Sequence, residues 1–294
     1  MDVEALIAML VGDLCWVPGV AALVVGGSRV RGTRTAQSDV DLALYYRPDW
    51  PPDLARLGAL ATTVDDAHRP GVLTALGGWG PWINGGGWLT VQGTPVDILY
   101  RDLDAVATVA RACVAGRPRI VYQPGHPHGF ITAIYLAEIA LCRPLWDPEG
   151  VVADLTRLAA PYPTPLQATL IRQFSWEAAF ALRTAAKAVG RADVSYVAGC
   201  LFRDVSCLLQ ALFALNAWYW MNENAWYWMN EKGAVALADA FPLAPSRLAA
   251  GVDKAFGRQA PSPDALTLAI DGVDHLVAET DRLLAVAGLA PSGL

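Results

Sequence analysis

The chain has 294 residues, enough for two domains or one large one, and a composition of 54% hydrophobic and 17% charged residues excludes a disordered protein. A net charge of −6 excludes a protein that coats nucleic acid through its overall charge, and leaves room only for a local basic patch. No uninterrupted apolar run reaches the ~18 to 20 residues of a membrane span, and the opening MDVEALIAML carries acids and no basic n-region, against a secretory signal.

In chain order, Val3 to Leu14 has the spacing of a short helix and Val20 to Val25 that of a continuous apolar strand. A Gly/Ser/Arg loop follows, then an alternating strand from Val40 to Tyr46. Pro51 and Pro52 open a helical stretch toward Ala67. The run GGWGPWINGGG is too rich in glycine and proline for regular structure and reads as a loop. WLTVQ and PVDILY, parted at Gly93 and Thr94, carry a hairpin signal. Asp102 can cap a helix running to Ala115, and RIVYQ makes one more short strand.

Beyond the PGHPHG loop the texture changes. Ile131 to Leu141, Leu166 to Ala188, Val197 to Leu215 and Asp264 to Ala287 have apolar residues at helical spacing. In the third of these Val197, Leu201, Val205, Leu208, Leu212 and Leu215 form one stripe. The expected organisation is therefore an α/β domain over residues 1–125 and an all-α domain over 126–294. Five cysteines (Cys15, Cys113, Cys142, Cys200, Cys207), with no C-x-x-C among them, read as reduced core thiols of a cytoplasmic protein. NAWYWMNE occurs at 216 to 223 and is repeated without change at 224 to 231. Six aromatics in tandem make a sticky segment, which must pack on its own domain or on a second copy in a homodimer.

Chemistry concentrates near the N-terminus. Asp39 and Asp41 sit two apart at the start of a strand, so they share one face while Val40, Leu42 and Leu44 take the other. Carboxylates so close are tolerable with a divalent cation between them, and oxygen ligands with open water positions suit Mg²⁺ on substrate phosphates. Asp97, the one acid in PVDILY, would join them if its strand were a neighbour, and three carboxylates can hold two ions. Ahead of this strand, Gly26 and Gly27 let the backbone approach a ligand closely. Ser28 adds a hydroxyl, and Arg29, Arg31 and Arg34 add positive charge beside a nest of N–H groups.

Gly27-Ser28, ten intervening residues and then Asp39-Val40-Asp41 resemble the G-S-x(n)-D-x-D signature of the polymerase-β-like nucleotidyltransferases, and Asp97 falls where that superfamily places its third carboxylate. The two-part layout is similar to that of the aminoglycoside and lincosamide nucleotidyltransferases. The resemblance implies a palm-like α/β nucleotidyltransferase domain with a mixed sheet, followed by a helical substrate-binding bundle. It also implies a reaction, in which an acceptor hydroxyl attacks the α-phosphorus of a magnesium-bound nucleoside triphosphate, ATP foremost, and pyrophosphate leaves. On that pattern Asp39, Asp41 and Asp97 hold two Mg²⁺ ions. Gly27 and Ser28 hold the outer phosphates, and Arg29 or Arg31 counters their charge.

Other groups admit two readings. Glu138, among apolar neighbours in AIYLAEIALC, is either a polar-face residue or a general base. Glu177 in FSWEAAF is a weaker candidate of the same kind. Arg203 and Asp204 interrupt the apolar stripe and suit a local or interhelical pair better than substrate ligands. Lys232 resembles a lysine that antibiotic adenylyltransferases offer to the triphosphate, or is a solvated helix-end lysine. His126 and His128 flank a proline without cysteines nearby and belong to a loop connection rather than a zinc site. Trp79, Trp82 and Trp88 form either a mobile flap that stacks on a base or acceptor, or packing beneath a long loop. A macromolecular acceptor (protein or tRNA) and a catalytically inactive nucleotide-binding module are the rival readings. A tRNA enzyme should show a basic track, and none is visible outside Arg29 to Arg34.

Overall fold

Side chains that alternate along a strand can serve two layers at once, and the central strands here do so. The computed structural model describes residues 2–27, 39–221 and 233–290. Among these, a first unit holds residues 2–27, 39–113, 119–161 and 221, and a second holds 114–118, 162–220 and 233–290.

The first unit is built on a mixed five-stranded sheet in the order β3-β4-β2-β1-β7. Its strands are β1 (Val20–Val25), β2 (Val40–Tyr46), β3 (Gly86–Val91), β4 (Thr94–Asp102) and β7 (Arg143–Trp146). β2 and β4 are parallel, and every other pair is antiparallel. Helices α1 (Val3–Leu14) and α2 (Leu54–Val64) cover one face. Leu6, Leu10, Leu14, Leu57 and Ala61 pack there against Val40, Leu42, Leu44, Val96, Ile98 and Tyr100. Both helices start on an aspartate cap, Asp2 for α1 and Asp53 for α2, which satisfies N–H groups left open in the first turn. All seven residues of β2 are buried, so its odd-numbered side chains are enclosed as well as its even ones.

The β3–β4 hairpin turns at Gln92 and Gly93, both at positive φ (52° and 76°), the geometry a two-residue turn of right-handed twist demands. Asp66 fixes it by accepting both turn N–H groups, at 2.7 Å each. Asp102 caps α3 (Leu103–Val114), as its position predicts, through the N–H groups of Asp104 and Ala105. A two-stranded ribbon, β5 (Ile120–Val121) with β6 (Phe130–Ile131), precedes α4 (Ile134–Leu141), and α5 (Val151–Ala159) follows β7. Compactness thus groups residues 119–161 with the sheet, and the helical texture begins before the second unit does.

The second unit is helical: α6 (Thr164–Ala186), α7 (Val194–Leu215), α8 (Ala234–Asp239), α9 (Leu248–Gly257) and α10 (Pro263–Val286). The stripe Val197, Leu201, Val205, Leu208, Leu212 and Leu215 is buried throughout. By length and composition α7 is apolar enough to cross a membrane, which a count of uninterrupted apolar residues does not reveal. Most of it is buried inside the helical unit, as suits the central helix of a bundle. All five cysteines are free thiols.

Candidate active site

The parallel register of β2 with β4 places Asp41 opposite Asp97. Asp39 lies just before β2 with the parity of Asp41, so all three carboxylates face the same side. One ligand oxygen from each of Asp39, Asp41 and Asp97 falls within 4.8 Å of the others, the sole such group of possible metal ligands among the described residues. Asp41 is 1% exposed and Asp97 8%. Burial, and then the charge of Asp39, push the Asp97 carboxyl up to about 7. A divalent cation relieves both effects, because it replaces lost hydration and cancels repulsion between the acids. The donor set, three hard oxygens with no nitrogen or sulfur, fits Mg²⁺.

Beside this cluster the backbone of Gly26 donates its N–H to the Asp41 carbonyl at 3.0 Å. Gly27 stands at φ +69°, and a Cβ added there would lie 2.0 Å from Asp41 Oδ2. Only glycine leaves room for the acid at this point. Ser28, Arg29, Arg31 and Arg34, expected to continue the phosphate loop, and Lys232 lie outside the described residues.

Glu138 does not join the three acids. Its carboxylate takes two bonds from the guanidinium of Arg101, Nε to Oε2 at 2.8 Å and Nη2 to Oε1 at 2.6 Å. Both residues are only 2% exposed. Glu138, read from the sequence as either a polar-face residue or a general base, thus has both carboxylate oxygens engaged by Arg101. Arg101 also donates to the carbonyls of Ile83 and Tyr100, and its guanidinium lies 5.9 Å from the Tyr135 ring centre. Burial works against the Arg101 charge, but Glu138 outweighs it and the net shift raises its pKa. The same shielding raises the Tyr45 phenol, first by burial and then by Cys142 and Glu138. The one sign of Arg101 in the sequence is parity, since positions 97, 99 and 101 of one strand share a face.

Glu177 is likewise engaged, in an ion pair with Arg203 between α6 and α7, partly exposed on both sides. Arg203 is thus interhelical as expected. Asp204 is fully buried, and burial followed by the Asp274 charge raises its carboxyl well above the ordinary value. His126 and His128 are buried in their loop, where His126 meets Phe130 edge-on at 5.1 Å.

The glycine-rich segment is anchored rather than loose. Asn84 receives the Gly77 N–H at 2.7 Å and donates to the Tyr46 hydroxyl at 2.8 Å, and the Tyr100 N–H binds the Gly85 carbonyl. Trp82 packs near Phe130 (5.9 Å), and its carbonyl accepts the Tyr135 hydroxyl. Trp79 and Trp88 stack at 4.7 Å.

Residues 7–65 match the model of the family described as "Nucleotidyltransferase domain", a span that runs from α1 through the glycine turn and the Asp39/Asp41 strand to the end of α2. Comparison with curated proteins gives no match. Among solved structures, the chain is similar to a nucleotidyltransferase-like protein from Exiguobacterium sibiricum 255-15 at 11% identity and a TM-score of 0.43, covering 96% of this chain and 78% of that one. The matched segment contains the two acids and the glycine turn, and the chain thus carries a nucleotidyltransferase domain that fits the polymerase-β-like superfamily and marks it as a nucleotidyltransferase enzyme.

Proposed function

We propose that this enzyme transfers a nucleoside monophosphate, AMP from ATP, to a hydroxyl of a small cytoplasmic molecule of the aminoglycoside type, and releases pyrophosphate. The observation that carries this reading is the convergence of Asp39, Asp41 and Asp97 within 4.8 Å, next to a glycine turn inside the matched segment. The acceptor oxygen bonds to the α-phosphorus as the bridge from that phosphorus to the β-phosphate breaks. Pyrophosphate carries off the bridging oxygen, and the hydroxyl proton passes to water. Bound Mg²⁺ would supply charge neutralisation for the attacking and leaving oxygens and a lower pKa for the hydroxyl.

Asp39, Asp41 and Asp97 hold the ions in this reading. Gly27 presents backbone to the outer phosphates at a point where a side chain would strike Asp41. In the same reading Ser28, Arg29, Arg31 and Lys232 complete the triphosphate site. The Arg101–Glu138 pair positions the floor of β4 beneath the acids rather than exchanging protons.

The test is pyrophosphate release from Mg–ATP with the purified protein, against aminoglycosides, lincosamides, tRNA and protein. The expected result is release dependent on a small acceptor, with that acceptor recovered carrying one nucleotide. Label recovered on protein or tRNA, or no release with any acceptor, overturns the proposal.

A further inference from the structure

One row of side positions crosses four strands at the end of the sheet. Gly27 follows β1, Asp41 lies on β2, Asp97 is its partner on β4, and Trp88 is the partner of Asp97 on β3. Residues directly opposite on paired strands share a face, so the indole of Trp88 stands on the acid side of the sheet. Strands lie ~4.8 Å apart, which puts Trp88 one strand from Asp97 and about 14 Å from the glycine turn.

We infer that Trp88, backed by Trp79, is the acceptor platform: a hydroxyl-bearing ring, sugar- or cyclitol-like and carrying an ammonium group, lies with its C–H face on the Trp88 indole and its hydroxyl toward Asp97. This inference rests on the transfer reaction proposed above. Displacement at phosphorus runs in line, so the attacking oxygen approaches from the side opposite the departing pyrophosphate. With the outer phosphates at Gly27 and the α-phosphorus over Asp39 and Asp41, the far side is the Asp97–Trp88 end. The nucleoside branches from the α-phosphorus off that line, which leaves the indole to the acceptor.

The platform is built rather than incidental. Trp88 is 46% exposed although its strand neighbours Gly87 and Leu89 are buried. Its ring stacks on Trp79 at 4.7 Å with 29° between planes. Arg69, held bidentate by the buried Asp65, donates to the Trp88 carbonyl at 3.0 Å, while Asp65 also accepts the Thr90 N–H. On the other side the buried Gln123 donates to the Trp79 carbonyl at 2.9 Å. Both indoles therefore sit on backbone that is fixed before any ligand arrives. An indole face favours stacked apolar ring faces and attracts cations through its quadrupole.

The experiment measures binding to the full-length enzyme by saturation-transfer NMR, with kanamycin and methyl glucoside as ring probes and sorbitol as the open-chain control. We expect kanamycin to bind with its ring protons saturated and sorbitol not to bind. Trp88→Ala should weaken kanamycin about tenfold, Trp88→Phe less than about threefold, and Mg–ATP affinity should stay the same in both. Should Trp88→Ala not fold, fluorotryptophan-labelled enzyme gives the same answer. The fluorine signal that disappears in Trp88→Phe must shift when kanamycin is added. Equal kanamycin binding by Trp88→Ala, an unmoved Trp88 signal, or no binding of either ring probe overturns the inference. Failure of pyrophosphate release alongside intact, Trp88-dependent binding would instead strike the proposed reaction, so the two can fail separately.

Discussion

Asp97 and Arg101 lie four positions apart on one face of β4, and the two ends of that face handle buried charge in opposite ways. At the Arg101 end a carboxylate meets a guanidinium in a bidentate pair closed off from solvent. At the Asp97 end three carboxylates crowd together, and burial with Asp39 lifts Asp97 to about 7. A charge that the fold neutralises by itself serves structure. Three carboxylates gathered within 4.8 Å suit a cation from outside, and this difference points to the chemistry.

The comparison breaks first, and most severely, at the acids. Asp39→Asn or Asp41→Asn should lower kcat by about 10⁴-fold or more, ~5 kcal/mol in the barrier, because each removes a ligand charge while keeping shape. Thermal melting of the metal-free variants should be unchanged or higher, since like charges are relieved. Either variant turning over near the wild-type rate would show that these acids hold no catalytic metal.

At the other end of β4 the expected loss is stability. Arg101→Met strands Glu138 in a buried site and should cost ~3–5 kcal/mol by urea denaturation, whereas Arg101→Met combined with Glu138→Leu should recover most of it. Catalysis measured below the unfolding range should survive in the double variant. If kcat instead falls as far as in Asp41→Asn while the fold holds, Glu138 takes part in the chemistry after all.

Much of the first unit was legible because its signals are local. The bounds of α1, β1 and β2 follow from apolar periodicity, and the D-x-D spacing survives any change of fold around it. β7 was missed because RPLW is four residues long with a proline, too short to show alternation, and it becomes a strand only by pairing with β1. The pairing of Glu138 was hidden for a related reason. Its partner Arg101 is 37 residues away, and only the packing of α4 over the sheet makes the two neighbours. Position within an apolar helix reveals that an acid is buried, but not what neutralises it.

Another buried acid sharpens the same distinction at smaller cost. Among the described residues Asp204 on α7 has neither an arginine partner nor a metal-like cluster, and its carboxyl is raised well above the ordinary value by burial and by Asp274. Below pH ~4 the folded and unfolded chains both carry the proton. As pH rises, the unfolded chain loses it while the folded one keeps it, so wild-type stability falls by up to ~1.4 kcal/mol per pH unit until the raised pKa is reached. Asp204→Asn removes this slope. Urea unfolding at pH 5 and pH 8 should show the variant gaining on wild type at the higher pH, and parallel behaviour at both values would mean Asp204 is ionised in the fold.

The smallest effect is expected where neither kind of charge is touched, in the duplicated NAWYWMNE. The start of the first copy is tied into the helical unit: Asn216 binds both the N–H and the carbonyl of Leu243, Trp220 stacks on Phe213 at 5.3 Å, and Trp218 lies 5.3 Å from Phe241. The second copy, over 224 to 231, lies outside the described residues. Because the copies are identical, deleting 216–223 or 224–231 produces the same chain, in which the remaining asparagine follows Leu215 directly. That copy can take over every contact named here, so the deletion shortens the connection to α8 without removing its anchor. A shorter connection costs little in chain entropy. The deletion variant should therefore melt within about 4 °C of wild type, roughly 1 kcal/mol for a domain of this size, with Mg–ATP binding intact. A larger drop in melting temperature, or loss of nucleotide binding, would mean that both copies are needed at once and that the second makes contacts the first cannot supply.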